Sequence, residues 1–96
     1  MAARQLLKGK PDHATIGTSQ QQWNLPTTGM HGGWQVRIYS ASECYYVLPD
    51  QAADGGALPA VEYLTVPAGV PQVFTVFGTT FAVAGSTSQT VEVAAL

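Results

Sequence analysis

Charged side chains make up only 10% of the 96 residues, against about 25% in an average soluble domain. Disorder does not account for the shortfall. Disordered chains are charged and poor in aromatic and β-branched residues, whereas Val, Thr, Tyr and Phe are plentiful here. A surface made of Thr, Ser, Gln, Ala and Gly costs little to desolvate, which suits a protein packed against other subunits. Four bases stand against six acids, and Arg4, Lys8 and Lys10 all lie in the leading segment. Beyond Lys10 the only base is Arg37, so the body lacks the basic face that phosphate contacts require. No nucleic-acid partner is expected.

Cysteine is nearly absent. Cys44 is the only one, which excludes an internal disulfide framework, and its apolar neighbours make it a small buried hydrophobe. Long apolar runs are missing too. Nothing approaches the ~20 apolar residues of a membrane span, and Met1-Ala2-Ala3-Arg4-Gln5-Leu6-Leu7-Lys8 lacks the core of a signal peptide. These features lead us to expect synthesis in a cytosol and no membrane partner.

Catalytic and metal-binding constellations are equally sparse. His13, His31 and Cys44 fall at irregular separations, without the paired spacing of a zinc site. Cys44 with His31 has no third orienting residue or oxyanion motif beside it. Asp50, Asp54 and Gly55 lack the alternating oxygen ligands and terminal Glu of a calcium loop. Lys8-Gly9-Lys10 and His31-Gly32-Gly33 do not open a helix after a strand, so neither is a phosphate cradle. Glu62 and Glu92 read as outward strand positions. The expectation is a non-enzymatic chain with no catalytic residues, no metal site and no cofactor.

Residues 1–22 show no strand periodicity and contain Gly9, Pro11, Gly17 and the polar run Ser19-Gln20-Gln21-Gln22. They read as an extended N-terminal arm, with a short helical turn at 2–7, that orders only when docked. Arg4, Lys8 and Lys10 would then be its partner-binding residues. From Trp23 the pattern changes, and residues 23–96 read as a β-sandwich domain. Trp34-Gln35-Val36-Arg37-Ile38-Tyr39 alternates as a half-buried strand requires. Its outward Arg37 and Tyr39 are candidate interface residues, since both types are enriched at hot spots. Strands are also expected at 44–48, 61–66 and 89–95, with Asp50 to Gly56 a loop and Pro67-Ala68-Gly69 a turn.

Gln72-Val73-Phe74-Thr75-Val76-Phe77 and Thr80-Phe81-Ala82-Val83-Ala84 flank Gly78-Thr79, the spacing of a two-residue hairpin. Pairing Phe77 with Thr80 would place Phe74, Val76, Phe81 and Val83 on one core face. Short strands with frequent turn signals predict an all-β fold, a small antiparallel β-sandwich or barrel of jelly-roll-like kind.

The run 34–39, the segment Leu64-Thr65-Val66-Pro67-Ala68-Gly69 and the region 74–83 together resemble, in layout, the small capsid decoration or cement proteins of tailed bacteriophages. The resemblance covers residues 23–96. It implies a structural protein on the capsid surface of a virion assembled in the host cytoplasm. Such a protein would self-associate, as a homotrimer, and clamp neighbouring subunits of the major capsid protein. Two other readings stand beside it: a tail, neck or spike-base component, and a carbohydrate-binding adhesion module that uses Trp23, Trp34, Tyr39, Tyr45, Tyr46 and Tyr63.

Overall fold

Trp34–Ser40 forms a strand because its apolar residues fall at every second position. Trp34, Val36 and Ile38 are buried, while Gln35 is exposed and Arg37 and Tyr39 are half-buried. The same period of two recurs in Gln89–Ala95, where Val91, Val93 and Ala95 face the core. A computed structural model, which describes residues 3–26, 33–59 and 62–96, contains nine such strands among those residues. They are β1 (Arg4–Gln5), β2 (Asp12–Ile16), β3 (Gln21–Asn24), β4 (Trp34–Ser40), β5 (Cys44–Val47), β6 (Tyr63–Val66), β7 (Gln72–Val76), β8 (Thr80–Gly85) and β9 (Gln89–Ala95).

The strands form two sheets, ordered β2-β9-β4-β7 and β1-β3-β8-β5-β6. Apart from the parallel β1·β3 pair, every ladder is antiparallel. The pairs β2·β9, β3·β8, β4·β7 and β5·β6 are nested. The chain runs out along β2 to β5 and returns along β6 to β9, and the doubled ribbon wraps so that alternate pairs fall in opposite sheets. This is the jelly-roll form of the β-sandwich. Between the sheets lies one apolar core. Trp23 stacks on Phe81 at 5.7 Å between ring centroids, and Phe81 also meets Tyr46 at 5.9 Å.

Two expectations change. Residues 3–22 do not form an extended arm, and no helical turn occurs at its described start. β1 lies along β3, β2 pairs with β9 over its whole length, and Leu6 is 1% exposed. The polar run is likewise built in. Gln20 is buried, donates from Nε2 to the Ala57 carbonyl (2.7 Å) and accepts from the Ala53 N–H (2.9 Å), pinning the loop that follows β5. Its hydrogen-bonding groups are satisfied by backbone more than thirty positions away, which no local pattern reveals.

The β7–β8 hairpin is also absent. β7 pairs with β4, whereas β8 lies between β3 and β5 in the other sheet, so Gly78-Thr79 crosses from sheet to sheet. The faces nevertheless follow the sequence. Val76, Phe81 and Val83 are fully buried, and Phe74 packs against the core from its rim. The remaining elements agree with the alternation. β5 covers all but the last residue of 44–48, and the chain leaves β6 through a turn with Gly69 at φ 73°, a conformation that favours Gly. Val61, at the start of the expected 61–66 strand, lies outside the described residues, as does His31.

Candidate functional site

The sandwich is closed on one side and open on the other. At the closed side, β1 and β2 end the two sheets, and Leu6 fills the space between them. Asp12 ties this side together. Its carboxylate accepts from Arg4 Nε at 2.6 Å and from the Trp23 indole N–H at 2.9 Å, linking β2 to β1 and β3. The Arg4 hydrogen bond holds the Asp12 carboxyl below the usual carboxylate range, opposed by partial burial and helped by Trp23.

At the open side, β6 ends one sheet and β7 the other. Leu64 stands opposite the buried Tyr46 in the β5·β6 ladder, and Phe74 stands opposite the buried Val36 in the β4·β7 ladder. Both therefore belong to the core face. No described strand lies between the two edges, and Leu64 is 47% exposed and Phe74 half-buried. Phe77, one residue past β7, is 73% exposed. Together with Tyr46, Leu48, Pro49, Asp50, Val73 and Thr75 they line a groove of about 370 Å³. At its floor Tyr46 stacks on Phe74 at 4.5 Å with the rings 7° from parallel. Burial pushes the Tyr46 phenol up to about 12, so the ring stays neutral. Asp50 is the only charged residue among those lining the groove.

A second, polar region lies on the outer face of the β2-β9-β4-β7 sheet. Glu92 of β9 stands opposite both His13 of β2 and Tyr39 of β4. Its carboxylate bonds His13 Nε2 at 3.0 Å and pairs with Arg37. On the other sheet Tyr45 donates to Glu43 at 2.8 Å and meets Tyr63 edge-on at 5.2 Å.

The residues singled out from the sequence therefore do not converge. Arg4 is engaged by Asp12 of its own chain, while Lys8 and Lys10 are exposed near the closed side, where Lys8 bridges to Ala95. Arg37 and Tyr39 share the outer face. His13 is on β2, whereas Cys44 is buried on β5, where desolvation pushes its thiol up to about 11. Among the described residues no three of His, Cys, Asp and Glu gather as a metal site would need. Trp23 and Trp34 are core residues, and Trp34 Nε1 donates to the Pro26 carbonyl at 3.2 Å. The sequence reading does not single out Leu64, Phe74 and Phe77 as a surface. The available signal is the uncharged stretch Gln72 to Phe77, which the hairpin reading pairs with 80–84.

Neither a protein-family model, nor a curated protein, nor a solved structure matches this chain. Its class rests on the strand order: a jelly-roll sandwich, with an apolar groove at its open side.

Proposed function

We propose that the chain is a non-enzymatic structural subunit of a virion. It acts as a capsid decoration protein that reinforces the contacts of neighbouring major capsid subunits. The observation that carries the reading is the open side, where core-facing Leu64 and Phe74 reach solvent beside an exposed Phe77. Exposed apolar surface of this kind is the surface expected of an interaction site, with protein contacts among its uses. The jelly-roll layout is compatible with this role but does not select it, because the same architecture serves capsid and lectin domains.

Fractionated particles of the phage that carries the gene provide the test. The protein should co-purify with capsids, and stripping it should lower the temperature at which they release DNA. Adding it back should restore that temperature. Recovery with tails or spikes alone would move the subunit to those structures. A glycan-array signal abolished by Tyr39→Ala or Tyr45→Ala, with nothing on particles, would replace the reading with an adhesion module.

A further inference from the structure

Basic residues are so few that a protease which reads them has little to choose from. The chain holds four, Arg4, Lys8, Lys10 and Arg37, and none follows Arg37. Arg37 lies inside β4, opposite Val73 of β7 on one side and Ala94 of β9 on the other, and its guanidinium pairs with Glu92. Reaching the bond after it means stripping a central strand from two ladders, which amounts to unfolding the sheet. Lys10 is followed by Pro11, whose ring fixes φ and removes the N–H, so that bond is a poor substrate. Arg4 and Gln5 are both paired with β3, and the Arg4 guanidinium is held by two hydrogen bonds to Asp12.

Lys8 is placed differently. It sits in the turn Leu7-Lys8-Gly9-Lys10, which the Lys10 N–H closes by donating to the Leu7 carbonyl at 3.1 Å. Residues 7–11 are all exposed, and among the described residues no ion pair engages the Lys8 ammonium. Gly9 takes φ 75°, and apart from its chain neighbours no atom lies within 4 Å of where a Cβ would project from it. The turn is tethered through Ala95, whose carbonyl accepts from the Gly9 N–H at 2.7 Å. Exposed turns near a chain end are where proteases nick folded domains.

We infer that Lys8–Gly9 is the bond at which a trypsin-like protease, one with an acidic pocket for Lys or Arg, cuts the folded protein, and that the cut opens the closed side of the sandwich. Hydrolysis adds one water across the amide, leaving a carboxylate on Lys8 and an amine on Gly9. The strands from β2 onward all lie beyond the cut, so both sheets keep their long ladders. The segment ending at Lys8 is then held by the buried Leu6, the two-residue β1 ladder and the Arg4–Asp12 pair. These contacts suffice while the turn keeps the segment at a high effective concentration. Once severed, it binds as a separate short peptide and leaves on dilution. Its departure uncovers the edge of β3 and the core surface that Leu6 fills. A single cut thereby turns the side that the chain closes on itself into a second open one.

The test needs no particles, so its result is independent of the decoration reading. Limited trypsin digestion of the folded full chain, read by mass spectrometry, should give a first product beginning at Gly9. Lys8→Gln, at an exposed site, should abolish that product and leave the circular dichroism spectrum unchanged. A first cut after Arg4 or Arg37 would overturn the site. So would an uncut chain under conditions that digest the urea-unfolded protein. Gel filtration of the cut protein should separate the segment from the body. A segment that stays with the body through that step would overturn the opening.

Discussion

The two sides of this sandwich start from the same problem and end differently. Each is a gap between the last strands of two sheets, and each has apolar side chains pointing into it. At the β1/β2 side the chain closes the gap with its own residues: Leu6 is 1% exposed, and Asp12 bridges β2 to Arg4 and Trp23. At the β6/β7 side nothing comparable is present among the described residues, and Leu64 and Phe77 stay 47% and 73% exposed. At the closed side residues 3–11 precede the first long strand and fold back over the gap, whereas β6 and β7 are joined directly by a short turn at Pro67 to Pro71.

That contrast can be broken most forcefully in the core both sides share. Phe81→Ala, at 0% exposure, should cost about 3–5 kcal/mol in urea melts. Thr75→Ala on the exposed face of β7 should cost under ~1 kcal/mol. Equal losses would mean that the strand faces are wrongly assigned.

The second test compares one leucine from each side. Leu6→Ala should destabilise by about 2–5 kcal/mol, as for a fully buried leucine. Leu64→Ala should cost under ~1 kcal/mol. A harmless Leu6→Ala would restore the loose arm that the sequence suggested for residues 1–22.

Acid provides the smallest and most local effect. Because the folded Asp12 carboxyl titrates below its unfolded value, its contribution is complete above the ordinary carboxylate value of ~3.9 and is lost as pH falls through the folded value. Asp12→Asn should therefore flatten the pH dependence of melting below about pH 4. It should leave Phe77 and the open side unaffected. A dependence identical to the unsubstituted protein would show that the Asp12 tie does not hold this side.

The alternation of 34–39 and 89–95 located two strands and their inward faces from the sequence, because the period of two is a property of the extended backbone alone. The burial of Phe81 and Val83 followed for the same reason, although their expected hairpin does not exist. Pairing is another matter. Gly78-Thr79 has the length of a hairpin turn, yet in a wrapped ribbon the neighbour of β7 is β4, with Val36 opposite Phe74. The apolar groove is not legible in the sequence for a related reason. Phe74 and Leu64 look like core residues in sequence, and they are, but only the sheet order reveals that the core is uncovered where they sit.

The sequence by itself determined that the protein is all-β, where most strands lie and which side chains point inward. Those properties depend on composition and on neighbours a few residues away. Tertiary structure alone decided that residues 3–22 complete the sandwich, that Gln20 anchors a distant loop, and that β7 is the last described strand of its sheet. Each of these depends on which strand lies beside which. That choice is made by the summed burial of long-range pairs, and no local pattern encodes it.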